Sequence, residues 1–283
     1  MNPLLKRSLS GLILVVVMVE CIVATQASFI AIWAVVAAAC MWELLTLIRI
    51  RGGIIPERPF TILAGVALVV TASLATEGVD WVPAIAAIFL LFIIQLFCKS
   101  EVPIEKLAYS SLALVYIAVP IALLTTLEPM LVLSYITIVW ANDTGAYLVG
   151  VTIGKHKMAP QISPKKSWEG FFGGILFSIG VAFVWYALYW SGERFGMGQA
   201  FGEQALLGPT IVKLKWLGLG LVIAVSSVAG DLIESKFKRS LGVKDSGKLI
   251  PGHGGALDRF DSVMISAPFV WCYVNLVDLL AVA

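Results

Sequence analysis

The stretch KDSGKLIPGHGGALDRFDS, from Lys244 to Ser262, sets Lys244, Asp245, Lys248, His253, Asp258, Arg259 and Asp261 among four glycines. Carboxylates are hard oxygen ligands, and lysine and arginine are anion donors. Glycine lets the backbone approach a ligand closely. Together they describe a magnesium–nucleotide site. Gly242 to Lys248 also fits G-x-x-x-x-G-K, but Leu249 stands where a P-loop needs Ser or Thr, and no strand precedes it, so that match is fortuitous. His253 reads equally as a phosphate donor or as an ordinary structural histidine.

Three upstream stretches add to this set. In AGDLIESKFKRSLG, Asp231, Glu234, Ser235 and Lys238 fall at i, i+3, i+4 and i+7, one face of a helix that Gly242 would stop. The 26 residues between Asp231 and Asp258 are enough to fold back, so both carboxylates are expected at one membrane face. A solvated amphipathic helix is the plainer alternative. In ISPKKSWEGFFGG, Ser163 and Pro164 read as N-cap and N1 of a helix. That places Lys165 and Lys166 in its first turn, where cations are unfavourable unless an anion is bound. Positive-inside anchoring is the competing explanation. In IVWANDTGAYLVG, Asp143 interrupts an apolar run, at a cost of roughly 2.5–3.5 kcal/mol on insertion scales. It is expected to face a site, or else to hydrogen-bond between helices near Ala141, Gly145 and Ala146. Cys21, Cys40, Cys98 and Cys272 lie in apolar runs without metal-ligand spacing and read as small buried hydrophobes. There is no H-E-x-x-H and no Ser-His-Asp order.

The elements that must position these residues are membrane helices. The 283 residues are 59% hydrophobic and 13% charged, with mean hydropathy +0.94. Apolar runs of about 20 residues recur, each long enough to cross roughly 30 Å of hydrocarbon. The fold class is all-α, a polytopic integral membrane protein. About nine transmembrane helices are expected, near 8–25, 28–48, 60–76, 82–98, 107–127, 129–150, 171–190, 212–231 and 262–282, with weak breaks at Thr25-Gln26 and Glu128-Pro129. Lys6 and Arg7 ahead of the first run resemble a signal peptide, but no A-x-A site follows, so a retained span is expected. With the N-terminus cytoplasmic, 17 of the 20 Lys and Arg fall on the inner side, as the positive-inside rule requires. Residues 1–128 then read as a transmembrane scaffold. Residues 129–283 read as a catalytic region with cytoplasmic loops at 151–170 and 231–261. A net charge of +2 implies no nucleic-acid partner.

The run Ser235 to Ser262 resembles the signature of the phosphatidate cytidylyltransferases, the CDP-diacylglycerol synthases. The pattern S-x-x-K-R, K-D-x-x, H-G-G, D-R-x-D is met by Ser235, Lys238, Arg239, Lys244, Asp245, His253, Gly254, Gly255, Asp258, Arg259 and Asp261. WANDTGAY and SPKKSWEG are similar to that family's upstream blocks. The resemblance implies transfer of a cytidylyl group from CTP to phosphatidate, releasing pyrophosphate. It also implies a magnesium-dependent homodimer in the inner membrane, with a cytoplasm-facing cavity open to lipid. Asp231 and Asp258 carry over as the metal ligands, with a monovalent cation such as K+ nearby. Lys244, Asp245, Arg259 and Asp261 are the further catalytic candidates. Asp143, Ser163, Lys165, Lys166, Ser235, Lys238, Arg239, Lys248, His253, Gly254 and Gly255 are the substrate-binding ones. Two other readings compete: a CTP-dependent polyprenol kinase, and an ion-coupled secondary transporter using Asp143. The concentration of polar residues in loops, and the lack of an internal repeat, weigh against the transporter.

Overall fold

The computed structural model describes residues 3–54, 57–75, 82–97, 102–190, 209–247, 249 and 254–282. Lys248 and His253 lie outside the described residues. Among the described residues, a helix covers each of the nine expected stretches. These are α1 (Pro3–Ala24), α2 (Gln26–Gly52), α3 (Arg58–Leu74), α4 (Val82–Phe97), α5 (Pro103–Ala113) continuing into α6 (Val119–Thr125), α7 (Pro129–Ile153), α8 (Trp168–Trp190), α9 (Pro209–Ser240) and α10 (Leu257–Val282). Five of them are long and apolar enough to cross a membrane: α2, the joined α5–α6 helix, α8, α9 and α10.

Both weak sequence breaks are helix boundaries. Thr25 caps α2, its Oγ1 accepting from Ser28 N at 3.0 Å while Thr25 N donates to Ser28 Oγ at 3.1 Å. Glu128 precedes Pro129, which occupies the first turn of α7, where a missing N–H costs nothing. Between α5 and α6, Leu114–Ala118 form a π-helical turn. Pro120 follows it, and its ring and absent N–H disturb the regular hydrogen-bond ladder there.

The chain divides into two compact units. The first comprises residues 1–126 and 236–264. Its interior packs Trp33, Met41 and Leu45 of α2 with Ile117 and Ile121, all fully buried. Trp33 meets Phe260 edge-on at 6.3 Å, and Tyr116 meets Phe237 at 5.5 Å. The second comprises residues 127–235 and 265–283. Here α7 and α8 approach closely because glycines line the seam: a Cβ at Gly170 would lie 2.7 Å from Ala146 O, and one at Gly174 would lie 2.6 Å from Asn142 Oδ1.

The departure from an all-helical chain, among the described residues, is a hairpin between α7 and α8. Strand β1 (Lys157–Ala159) pairs antiparallel with β2 (Ser163–Ser167). Pro160 follows Ala159 in a turn closed by Ile162 N donating to Ala159 O at 3.1 Å, the placement its fixed φ favours. Ser163 and Pro164 therefore do not open α8. The cap falls to Ser167, whose Oγ accepts from Gly170 N at 3.2 Å.

Candidate active site

Strand geometry reassigns the lysine pair. Lys165 and Lys166 lie on β2, not in a helical first turn, and neighbours on a strand point to opposite faces. Lys165 is exposed. Lys166 turns inward and places Nζ 2.7 Å from Asp231 Oδ2, and it also donates to Val228 O at 3.4 Å. Ser235, one turn beyond Asp231 on α9, donates from Oγ to Asp231 Oδ1 at 3.2 Å. The Asp231 carboxylate is thus oriented through both oxygens while its side chain stays 34% exposed. Ser163 is half-buried on the same strand.

The polar stripe on α9 is not a solvated face, because Glu234 is 1% exposed. The helix ends as its sequence indicates. Gly242 has φ +68°, Val243 N donates to Lys238 O at 2.9 Å, and Gly242 N donates to Arg239 O at 3.1 Å, a Schellman closure. Arg239 Nη1 then donates to Val243 O at 3.1 Å and fastens the exit of the loop.

In the first unit the loop is built around Asp258, in the first turn of α10. Its Oδ1 accepts from Lys238 Nζ at 2.7 Å, and its Oδ2 accepts from Ser246 N at 2.9 Å and Gly255 N at 2.8 Å. Its side chain is 8% exposed. Gly254 has φ +91°, and a Cβ there would lie 2.8 Å from Asp258 Oδ2, so the tight approach depends on glycine. Lys244, Asp245 and Arg259 are exposed around this anchor, and Asp261 is half-buried, its Oδ1 accepting from Ser262 N at 2.7 Å.

On α7, Asn142 is fully buried against Gly174 and accepts from Ser178 Oγ at 3.4 Å. One residue further round α7, Asp143 is exposed.

Sequence reasoning missed Glu43. It sits within α2, in the stretch read as scaffold, and is 6% exposed. Its Oε2 accepts from Ser246 Oγ at 2.9 Å and from Leu257 N at 3.0 Å. The available signal was a single acidic residue inside an apolar span.

The donor set suits magnesium, which takes one or two carboxylates and completes its shell with water and substrate phosphates. Among the described residues no group of three His, Cys, Asp or Glu converges, so these residues close no cage of their own. The Asp231 side chain is 34% exposed and accepts from Lys166 through Oδ2 and from Ser235 through Oδ1, so lone pairs remain for an ion. Asp258 has fewer open lone pairs, since three donors already occupy its oxygens.

Residues 5–277 match the model of the cytidylyltransferase family. The phosphatidate cytidylyltransferase of Mycobacterium bovis is 32% identical over 94% of this chain and 86% of its own length. That of Haemophilus influenzae is 42% identical over 49% of this chain and 43% of its own. That of Staphylococcus epidermidis is 49% identical over 47% of this chain and 44% of its own.

Proposed function

The chain belongs to the cytidylyltransferase family, and from that premise we infer that it is a phosphatidate cytidylyltransferase. It joins a phosphate oxygen of phosphatidate to the α-phosphorus of CTP. The bond from that phosphorus to the β-phosphate bridge breaks, leaving CDP-diacylglycerol and pyrophosphate. The nucleophile belongs to the lipid, so no covalent enzyme intermediate is needed.

The problem for the protein is charge. Two polyanions must approach in line and a third must leave, so catalysis is positioning plus neutralisation. One observation carries the reading: Asp258 and Lys238 form a buried ion pair inside a glycine-rich loop edged by Lys244 and Arg259. Asp231 and Asp258 supply hard oxygens for magnesium, which when bound would neutralise phosphate charge. Lys166 and Lys238 orient those carboxylates. Lys165, Lys244, Lys248, Arg239, Arg259 and His253 are donors for phosphate oxygens. Ser163, Ser235, Gly254, Gly255 and Asp143 are the further substrate-binding residues of this reading. Asp245 and Asp261 are the further catalytic carboxylates of this reading. A monovalent cation such as K+ accompanies magnesium.

Several apolar helices make this a membrane protein, as a lipid substrate requires. We place it as a homodimer in the inner membrane, with nine spans, the N-terminus in the cytoplasm and the site on that side. Purified protein given CTP labelled separately in the α- and γ-phosphates, with phosphatidate and magnesium, tests the reaction. Transfer of the α-label to lipid with release of pyrophosphate is expected. With a polyprenol supplied as the lipid, transfer of the γ-label to it would instead establish the kinase, and counterflow in liposomes without pyrophosphate would establish the transporter.

A further inference from the structure

We propose that Glu43 is a positioning residue for cytidylyl transfer, tying the N-terminal helices to the loop between α9 and α10; this rests on the reading above. A carboxyl group buried in an apolar helix is unfavourable unless its bonds matter. Glu43 spends Oε2 on two donors more than 200 residues away in sequence, Ser246 Oγ and Leu257 N. Leu257 N is the first N–H of α10, a donor that the helix itself cannot satisfy. Glu43 therefore acts as an acidic N-terminal cap supplied by another helix.

The surroundings are shaped to admit it. A Cβ at Gly247 would overlap Glu43 Oε1, and one at Gly255 would overlap both Glu43 Oε2 and Ser246 Oγ. Ser246 is the node. Its N–H goes to Asp258 and its hydroxyl to Glu43, so two carboxyl groups grip one buried residue. Lys244 and Asp245 precede that node directly, and Asp258 and Arg259 follow the Leu257 anchor. The grip sets the position of these four charged residues.

The test uses the full-length protein in nanodiscs, with E43A, E43Q, S246A and the E43A/S246A double variant. Thermal unfolding, trypsin cleavage within 239–259 and pyrophosphate release are measured on each. In folded E43A, kcat is expected to fall about 100-fold, the scale of a misplacement of roughly 1 Å, with faster cleavage of the loop. E43Q keeps an acceptor oxygen and is expected to recover kcat to within about fivefold of wild type, because the hydrogen bonds and not the charge do the positioning. The double variant is expected to be no slower than E43A, since Ser246 Oγ has already lost its partner. Unchanged kcat in folded E43A, or E43Q as slow as E43A, overturns the proposal. If E43A does not fold, folded S246A carries the same test: slower turnover with faster cleavage of the loop is expected, and wild-type values of both overturn the proposal. Failure of wild type to release pyrophosphate would sink the enzyme reading instead, and loop cleavage would still report whether Glu43 holds the loop.

Discussion

Lys166 Nζ lies 2.7 Å from Asp231 Oδ2, so the hairpin between α7 and α8 delivers a cation to the polar part of α9. The pair is partly exposed, at 22% and 34%, whereas Lys238 and Asp258 are at 13% and 8%. Two lysine–carboxylate pairs with different burial should answer differently to substitution.

Lys238→Met leaves the Asp258 carboxylate buried without its cation, and should cost roughly 3–5 kcal/mol of stability. Lys166→Met should cost about 1 kcal/mol or less, since water screens the exposed pair. Thermal unfolding in detergent compares the two, and equal losses would show that burial does not separate them.

Asp231→Asn keeps the size of the side chain and an acceptor for Ser235, but removes the charge that holds Lys166 and would hold magnesium. Turnover should fall by roughly 10²–10³ with the unfolding temperature little changed. Near-normal turnover at every point of a magnesium titration, low concentrations included, would remove Asp231 from the metal set.

Lys165 and Lys166 face opposite sides of β2, so their Gln variants should separate. Lys166→Gln should lower kcat at least about tenfold by loosening Asp231. Lys165→Gln should leave kcat near normal and raise KM for a phosphate-bearing substrate, as loss of ground-state binding does. Steady-state kinetics on both variants decides, and matching profiles would contradict the strand alternation.

Gly255→Ala drives a methyl group into Ser246 Oγ and Glu43 Oε2. Overpacking of this kind should cost about 1–3 kcal/mol and displace the loop, reducing activity more than expression. Normal unfolding temperature together with normal turnover would mean that the loop yields without consequence.

Asp143→Cys, in a background with Cys21, Cys40, Cys98 and Cys272 replaced, should be labelled by a soluble thiol reagent, because a carboxylate left exposed on an apolar helix is expected to face water rather than lipid. Bound CTP and magnesium should protect it. Labelling that ligands do not slow would remove Asp143 from the substrate site.

Periodicity and composition made the helices legible. An apolar run of about 20 residues has one economical solution in hydrocarbon, and caps such as Thr25 and stops such as Gly242 are chemical requirements of a helix end. The residue types in Ser235–Ser262 also pointed to an anion site, because hard oxygens, cations and glycines seldom cluster otherwise. Pairing was not legible. Ser163-Pro164 suits a helix start or a strand equally, and the turn at Pro160 decided between them. Asn142 and Asp143 differ by one step of about 100° around α7, so which is buried depends on where α8 packs. Glu43 bonds partners 203 and 214 residues away, a separation that no local pattern encodes. Sequence alone determined a helical membrane protein whose charged and glycine residues gather in one stretch, Ser235–Ser262. Only the tertiary structure decided which lysine meets which carboxylate and that an N-terminal helix holds that loop, because both depend on close approach between segments far apart in the chain.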